Sequence, residues 1–433
     1  TVPALSKYGS KSYERFSSGN IFERDTAAEQ RGELIYKSVL YESIEMKKTF
    51  RFSPDRNTFE LVLSFTNLTD QPIFSRYELS NQLFFDETGY DAHFVEFNLH
   101  TPEKLHSKKV GKIKKKLFEH SGMMDWAALT RKYLSLIVHP GPYTPVAHIR
   151  AKQLSPEIME AILSTDEFEI PPQETLSHSY FVYAGPNRYD DLKSFDLGFQ
   201  KILSKGWFGP LKTGMLFVMN WCYQWVPNYG VAIIILTLLI KLLFTPLTHM
   251  SFVSMRKMQA LQPKIKALQT TYKDNPQQMQ KEMMQLYKRN KVNPLGGCLP
   301  LLLQMPIFIA LYQSLSQAVE LRGAPFIWWM KDLSEPDKLF QLPFTIPLLG
   351  DGVNILPLIM IGSMIWQQKL TPSAGMSPEQ QKIMMLMPII FGVIFYSLPS
   401  GLVLYWTLSN FLTILHQGVI KKIHLPHHDA EPA

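Results

Sequence analysis

The amino-acid sequence predicts an α-helical membrane bundle of five spans that carries an N-terminal all-β sandwich domain outside the cytoplasm. Three observations lead to this fold class. Residues 1 to about 205 are polar and strand-like, whereas the chain beyond about 210 is rich in Met, Leu, Ile, Phe and Pro. Apolar runs in the second half are long enough to cross a bilayer. One connection between these runs is strongly basic, which gives the bundle a direction.

The averaged composition describes neither half of the chain. It has 433 residues, of which 46% are hydrophobic and 19% are charged, values that would suit a soluble protein. Only two cysteines occur, Cys222 and Cys298, which excludes a disulfide-stapled scaffold and a four-cysteine metal site. The chain begins at Thr1 without a signal-peptide pattern, so a preceding targeting or anchoring segment is expected.

Residues 1–206 are expected to form the β-sandwich. A turn at 53–57 separates two runs of alternating apolar and polar residues, and further strands are expected at 132–138 and 178–185. The clearest alternation places four large apolar residues on one face, namely Phe59, Leu61, Leu63 and Phe65. Several short strands with turns between them are typical of an antiparallel sandwich.

Two polar features of this domain could carry a function. The basic run 104–116 could bind nucleic acid or anionic lipid, but it has no interleaved aromatic residues, so a solvated, mobile β-connection is the preferred interpretation. The histidines show no metal-ligand spacing: His93, His100, His106, His120, His139, His148 and His178. A sugar-modifying site is the less favoured alternative. The sequence therefore predicts neither a metal site nor a cofactor in this domain.

Five spans are expected within the membrane core, residues 229–420: Tyr229–Thr248, Leu295–Leu315, Val353–Gln368, Ile383–Leu398 and Gly401–Ile420. The third and fourth are short, which indicates a locally thinned bilayer. Before them, residues 207–228 are apolar and rich in tryptophan, which predicts an amphipathic helix at the outer membrane surface. A linker helix packed on the β domain remains an equal alternative for this segment.

The loop charges predict the orientation. The connection 249–294 contains nine basic and two acidic residues, whereas the connection 320–352 is acidic on balance. Because cytoplasmic loops are enriched in Lys and Arg, the first connection is expected inside and the second outside. The β domain then lies outside, and the tail 421–433 lies in the cytoplasm.

The cytoplasmic connection 249–294 is expected to form a helical hairpin. One apolar stripe is predicted for its first helix, formed by Met258, Leu261, Ile265, Leu268 and Tyr272. Asn275 and Pro276 read as the N-cap and first residue of a second helix, whose stripe is Met279, Met283 and Leu286. The hairpin surface is basic, with Arg256, Lys257, Lys264 and Lys266 on its first arm. Anionic lipid is its preferred partner, and ribosomal RNA is the weaker candidate.

A charged residue inside the first span is the main candidate for a site. Thr237, Lys241 and Thr245 are spaced four residues apart and share one helix face. Polar residues on other spans could join them: Gln304, Thr407, Asn410 and Gln417. Lys241 could snorkel to the inner head groups while the others form interhelical hydrogen bonds. The preferred hypothesis is a hydrated cavity, open to the cytoplasm, that holds one positive charge.

Enzymatic chemistry has little support in these residues. The sequence contains neither an H-E-x-x-H zinc motif nor a P-loop. Ser400 and His416 would lie about 24 Å apart along a helix, which is too far for a serine-protease pair. No catalytic residue is therefore predicted, and the protein is not expected to be an enzyme.

Four segments in the second half resemble the bacterial YidC membrane protein insertase family: Met255–Gln269, Lys291–Tyr312, Gln380–Gly392 and Pro399–Asn410. The first half resembles that family's periplasmic domain more weakly. In the family a positive residue, usually arginine, lies in a hydrophilic groove, and Lys241 falls at that position. The resemblance also implies that Thr237 and Trp406 line the groove and touch the passing segment.

The resemblance implies that the protein inserts newly made proteins into the bacterial inner membrane and assists their folding. The expected partners are nascent membrane proteins, the lipid bilayer and the Sec translocon. A small-solute transporter or channel that uses the same polar cavity is the alternative, weakened by the lack of a detectable repeat and of paired acidic residues. A purely structural assembly scaffold is a third interpretation, for which the charge of Lys241 would not matter.

Overall fold

Two units, Thr1–Lys205 and Gly206–Ala433, make up the computed structural model of the chain. The residues that the structure describes are 4–7, 22–26, 32–54, 56–86, 90–273, 275–290, 292, 299–347, 349–370 and 378–423. Cys298 lies outside these residues, and Cys222 is buried with a free thiol.

The first unit is all-β, as the alternation predicts. Its described residues contain fifteen strands, β1 to β15: Ala4–Lys7, Glu23–Arg24, Glu33–Leu40, Ile44–Ser53, Thr58–Asn67, Ile73–Phe84, Glu96–His100, Leu105–Lys109, Phe118–Ser121, Trp126–Thr130, Leu134–Pro140, Val146–Ser155, Ile158–Thr165, Phe168–Ile170 and Thr175–Pro186. Nine form one antiparallel sheet in the order β2-β3-β4-β5-β15-β11-β10-β7-β8. The others form a second sheet in the order β1-β6-β13-β12-β9, with β14 paired to β6.

The two sheets share one apolar core. Leu61, Leu63 and Phe65 of β5 are buried, as the sequence predicts, while the residues between them are only half-buried. Residues of the second sheet, including Tyr77 and Leu163, pack in the same cluster. Burial of one face of each sheet against the other is the arrangement of a sandwich.

The sequence predicts a solvated, mobile β-connection for the basic run 104–116; its lysines are exposed, but the run is more regular than predicted. It contains the edge strand β8 and a short helix α1, Val110–Ile113. Val110 and Ile113 are buried, whereas the lysines around them are exposed. Burial of these two apolar side chains therefore orders a segment whose charge alone would favour solvent.

Three polar side chains form a buried cluster inside the sandwich core. The hydroxyl group of Tyr77 lies 3.1 Å from Nδ1 of His178 and 2.8 Å from the hydroxyl group of Tyr180. Phe168 packs edge-on against His178, with 4.7 Å between ring centroids. Desolvation by this burial lowers the pKa of His178 from 6.5 to about 4.

The neutral form of His178 should make the β domain sensitive to acid. Its contribution to the free energy of unfolding is complete above pH 6.5 and is lost as the pH falls toward 4. His178→Gln removes this titration and keeps an acceptor for Tyr77. We expect the variant to lose less stability than the parent between these pH values. Thermal unfolding measured across the range tests this, and His148→Gln, whose side chain is 55% exposed, is the matched control.

The described part of the second unit is helical apart from one β-hairpin and the largely irregular segment 318–337. After α2, Tyr189–Ser194, which belongs to the first unit, the helices α3 to α10 are Gly209–Trp225, Tyr229–Ala260, Gln262–Thr271, Pro276–Arg289, Leu299–Gln317, Ile355–Leu370, Pro378–Tyr396 and Ser400–Ile423. The hairpin consists of β16, Lys338–Ile346, and β17, Gly350–Asn354. Buried residues of α3, α4, α7, α8, α9 and α10 form one core.

The predicted boundary between the first span and the cytoplasmic hairpin differs from the structure. We expected a span that ends at Thr248, but α4 continues to Ala260 and includes the first residues of the connection. Thirty-two helical residues extend about 48 Å, more than the hydrocarbon core of a bilayer requires. The C-terminal end of α4 therefore extends well beyond the apolar part of the helix.

The first arm of the hairpin is two helices and not one. α4 ends at Ala260 and α5 begins at Gln262, because Pro263 has no N–H group to continue the helical hydrogen bonds. The N-cap prediction is confirmed, since the Asn275 side chain accepts from the N–H of Gln278 at 3.1 Å. Tyr287, which the predicted stripe omits, is the buried residue of α6.

One end of the helical unit is held by the segment 318–337. Asn228, the N-cap of α4, donates through Nδ2 to the carbonyl oxygen of Phe326 at 3.1 Å. At the start of α10, the N–H groups of Ser400 and Gly401 donate to carbonyl oxygens of the same segment at 2.7 and 3.0 Å. This segment therefore connects the first turns of two helices that are far apart in sequence.

Asp337 makes further hydrogen bonds at the same end of the helical unit. Its Oδ2 accepts the N–H of Leu356, in the first turn of α8, at 2.7 Å, and Nε1 of Trp329 at 3.1 Å. Burial raises the pKa of this carboxyl group. Nearby, Asn354 donates to the carbonyl oxygen of Tyr396, the last residue of α9, at 2.6 Å. The starts of α4, α8 and α10 and the end of α9 lie together, as an antiparallel bundle requires.

The helices present apolar faces on their outside. Among the described residues, Tyr229–Ala260 alone combines the length and the mean hydropathy, 2.3, of a membrane-crossing helix, and Lys382–Tyr396 is a shorter apolar helix. The count of five spans therefore stays a prediction. Exposed apolar residues follow α4, α8 and α9, including Leu239, Leu242, Leu243, Leu358, Ile359, Trp366, Ile383, Leu386, Ile389 and Ile394. An apolar surface of this extent indicates contact with lipid or with another protein.

The tryptophan-rich segment 207–228 forms α3, which packs in the core of the helical unit. Met215, Met219 and Cys222 on one face are buried with residues of α4 and α7. The opposite face exposes Trp221 and Trp225. An amphipathic helix with exposed aromatic residues suits a lipid–water interface, and that placement stays a prediction.

Candidate functional site

Lys241 lies where α4 meets α10. Its Nζ donates to Oγ1 of Thr413 on α10 at 2.9 Å. Thr413 in turn donates to the carbonyl oxygen of Ser409 at 2.8 Å, and Thr245 donates to the carbonyl oxygen of Lys241 at 2.7 Å. We call these four residues, Lys241, Thr245, Ser409 and Thr413, the polar seam.

The ammonium group of the polar seam has no carboxylate partner among the residues that the structure describes. The sequences of α4, α7, α8 and α10 contain neither Asp nor Glu. Thr413 is a neutral acceptor, so it orients the ammonium group without compensating its charge. A half-buried positive charge without a counter-ion attracts an acidic group that reaches it, because the interaction is stronger in a partly buried site than in bulk water.

The neighbours of Lys241 on its own helix differ in exposure. Thr237 is fully buried, and its hydroxyl group donates to the carbonyl oxygen of Ile233 at 2.6 Å. Thr245 is exposed, and Leu242 and Leu243 are 69% and 73% exposed. The structure thus places Thr245 with Lys241 and turns Thr237 into the bundle core. The expected contact of Thr237 with a passing segment stays a prediction that this packing does not support.

Gln304 and Asn410 form separate polar contacts inside the bundle. Gln304 of α7 donates to the hydroxyl group of Tyr405, which is fully buried. Asn410 of α10 donates to Oγ of Ser363 on α8 at 3.2 Å. Both pairs connect α10 to another helix, so the structure assigns them an interhelical contact. Their expected part in a groove stays untested.

Trp406 lies in an aromatic cluster that is distinct from the polar seam. Its ring packs against Phe308, Phe391 and Phe395, with centroid distances of 5.1, 5.7 and 5.2 Å. Only 6% of the residue is exposed, and its Nε1 has no hydrogen-bond partner among the described residues. Its expected contact with a passing segment stays a prediction, and in this structure other side chains cover the ring.

Sequence reasoning missed the α10 side of the polar seam, although a signal was present. Ser409, Thr413 and Gln417 have the same four-residue spacing as the group around Lys241. A histidine pair lies beyond it, His249 of α4 and His416 of α10, with 6.1 Å between ring centroids. Polar residues on the two facing helices therefore continue beyond the polar seam along the α4–α10 contact.

The helical hairpin 249–294, for which the sequence predicts a cytoplasmic location, has basic residues around a small apolar core of its own. Its buried members are Met258, Leu261, Ile265, Tyr287 and Val292. Lys257, Lys264 and Lys266 are exposed, whereas Arg256 is half-buried. Groups of three or more metal-ligating side chains are absent from the described part of the chain.

Comparison with known families covers nearly the whole chain. A model of the 60Kd inner membrane protein family matches residues 221–427, and a model of the YidC periplasmic domain matches residues 23–218. The boundary between the two matches falls within α3.

Curated relatives match over most of this chain. The membrane protein insertase YidC of Syntrophobacter fumaroxidans is 37% identical over 86% of this chain and 68% of its own length. The protein of the same name from Pelobacter propionicus is 37% identical over 81% of this chain and 61% of its own length, so the chain spans less than two thirds of that relative. A solved structure titled as an active YidC insertase aligns with 98% of this chain and 80% of its own chain at 20% identity, with a TM-score of 0.42.

Proposed function

This chain belongs to the YidC family, a family of inner membrane proteins with a periplasmic domain that are insertases and not enzymes, and we propose that it inserts newly made proteins into a bacterial inner membrane and helps them to fold. It acts alone or beside the Sec translocon. Five helices, α4, α7, α8, α9 and α10, span the bilayer. The β domain lies in the periplasm, and the C-terminus lies in the cytoplasm.

The uncompensated ammonium group of Lys241 is the observation that carries this proposal. It is held by Thr413 between two helices whose outer faces are apolar. A client segment that moves along these faces brings its polar or acidic flank close to the charge. The polar seam opens to water from the cytoplasmic side, and together with short spans it shortens the low-dielectric path that the flank must cross.

The driving force comes from the client itself. Transfer of an apolar segment from water to lipid is favourable by about 25 cal/mol per Å² of apolar surface, so no nucleotide is required. Exposed side chains of α9, such as Met385 and Ile389, offer an adaptable apolar surface along which this segment leaves. The positive charge lowers the free-energy cost of moving the client's polar flank across the membrane, and the apolar surface guides its apolar segment.

Rescue of a bacterial cell depleted of its own insertase tests the proposal. The chain is expressed with the targeting segment of the host protein placed before Thr1. We expect growth and insertion of single-span clients to recover. A chain that integrates into the membrane, with the β domain protected from cytoplasmic protease, and still restores neither would contradict the proposal.

The basic surface of the cytoplasmic hairpin should hold the hairpin at the anionic membrane surface, where clients arrive. Each exposed lysine adjacent to an anionic bilayer contributes about 1 kcal/mol of attraction. We expect the triple variant Lys257→Gln, Lys264→Gln, Lys266→Gln to slow the initial rate of insertion several-fold at low salt. The deficit should shrink as salt screens the charges of the parent.

A matched control neutralises three exposed lysines of the β domain, Lys112, Lys115 and Lys116. It should leave the rate unchanged, because these residues lie in the other unit. Equal rates for the parent and the hairpin variant at every salt concentration would reduce the hairpin surface to a passive basic loop. Ribosome binding, the weaker candidate partner, is measured separately by cosedimentation.

A further inference from the structure

The β16–β17 hairpin exposes apolar side chains that no other element of its unit covers among the described residues. Leu339, Phe340 and Phe344 are 44%, 52% and 61% exposed. Trp328, at the tip of a turn in the preceding segment, is 86% exposed and has a φ of 49°. A bulky aromatic residue rarely adopts that backbone conformation, so the turn holds this side chain outward at some cost.

This apolar group is fixed at the end of the helical bundle that bears the starts of α4, α8 and α10. Asp337 immediately precedes β16 and bonds to the first turn of α8 and to Trp329, next to Trp328. β17 runs into α8 without a linker, since it ends at Asn354 and α8 begins at Ile355. The exposed apolar face of α8 starts one turn later, at Leu358 and Ile359. The apolar surface of the bundle therefore continues onto the hairpin.

A two-stranded hairpin with these side chains in water would be marginally stable. The hairpin also carries an exposed charged pair: Nζ of Lys338 lies 3.3 Å from Oδ1 of Asp351. Aromatic side chains beside a charged pair are the composition of a lipid–water interface, where rings sit among the head groups.

The backbone of the hairpin disfavours an added peptide strand as the partner that covers these apolar side chains. Addition of a strand needs a regular row of free N–H and C=O groups. β16 contains Pro343, which has no N–H group, and its register with β17 shifts between Gln341 and Ile346. Such irregularities are typical of edges that are protected against strand addition.

We propose that the β16–β17 hairpin and the Trp328 turn are a membrane-surface anchor, which inserts Trp328, Leu339, Phe340 and Phe344 into the head-group region of the outer leaflet. The anchor holds the outer ends of α8 and α10 at a fixed depth, so that the polar seam keeps its distance from the cytoplasmic surface. This inference rests on the proposed placement of α8 across the membrane.

Site-specific fluorescence quenching in vesicles tests the anchor. The full chain, with Cys222→Ser and Cys298→Ser, receives one new cysteine at Phe340, Phe344 or Thr345, and an environment-sensitive dye is attached. Thr345 is exposed, and its replacement retains every apolar residue of the anchor. Vesicles of phosphatidylethanolamine and phosphatidylglycerol contain lipids with a quencher at the head-group level, and iodide probes the water phase. Ile359→Cys on α8 and Met123→Cys on the β domain, 41% and 80% exposed, are the lipid and water references.

We expect lipid quenching at the three hairpin positions to exceed that at residue 123 at least threefold, with iodide quenching reduced correspondingly. Iodide quenching equal to that at residue 123 would overturn the anchor. Shielding from both quenchers would also overturn it, because a protein or peptide would then cover the hairpin. Absence of lipid quenching at residue 359 would instead contradict the proposed span, so the two failures are distinguishable.

Discussion

Lys241→Glu is expected to reduce insertion of a client with an acidic translocated tail about tenfold or more, while a client with a neutral tail is affected far less. Two unit charges 4 Å apart interact by about 4 kcal/mol at an effective dielectric constant of 20. A difference of about 1.4 kcal/mol corresponds to a factor of ten. The substitution changes attraction to repulsion at the position where the client's flank passes. The measurement is the inserted fraction of matched clients that differ only in tail charge.

Two further variants separate charge from structure. Lys241→Arg should retain most activity, because it keeps the charge at the same depth and can still donate to Thr413. Lys241→Ala should impair acidic clients more than neutral ones, although less than Lys241→Glu does. An equal loss for all clients would make Lys241 a structural residue. Full activity in all variants would leave it a residue that snorkels to lipid.

Asp337→Ala is expected to destabilise the helical unit by about 2–4 kcal/mol. The substitution removes the acceptor of one buried donor, the N–H of Leu356, and of one half-buried donor, Nε1 of Trp329. An unsatisfied buried donor costs about 1–3 kcal/mol, and the half-buried one costs less. The first turn of α8 and the Trp329 turn would lose the same anchor at once. Unfolding of the detergent-solubilised protein by graded denaturant, followed by tryptophan fluorescence, measures the change.

Asp337→Asn is the matched control, because its amide oxygen can still accept a hydrogen bond. Burial raises the pKa of the Asp337 carboxyl group, so the parent loses stability as the pH rises through the folded-state value, and the Asn variant does not. We expect the Asn variant to lie close to the parent at neutral pH. A stability of the Ala variant equal to that of the parent would show that segment 318–337 holds the helix ends without this carboxylate.

Local patterns in the sequence predicted much of the fold. The alternation in β5 identified the buried face, because a strand packed on one side repeats every two residues. Asn275 identified the start of α6, because an N-cap acts within one turn. The break between α4 and α5 was missed, since the apolar spacing continues in phase through Pro263 while the hydrogen bonding does not.

The candidate site was predicted less completely, because its contacts are distant in sequence. Lys241 is conspicuous as a charge in an apolar helix, but its partner Thr413 lies 172 residues further along the chain. Which face of α10 meets α4 depends on packing that a single helix pattern does not fix. Trp406 was expected beside a groove from resemblance alone, and the structure surrounds it with three phenylalanines.

Reconstitution of the purified chain into lipid vesicles tests the central claim most directly. One assay measures protease protection of a single-span client with an acidic tail, and a second measures uptake of small solutes by the same vesicles. The account predicts that insertion occurs without nucleotide, decreases strongly with Lys241→Glu, and is not accompanied by solute uptake above that of empty vesicles. Solute flux that depends on Lys241 without client insertion would contradict it and identify a transporter or channel.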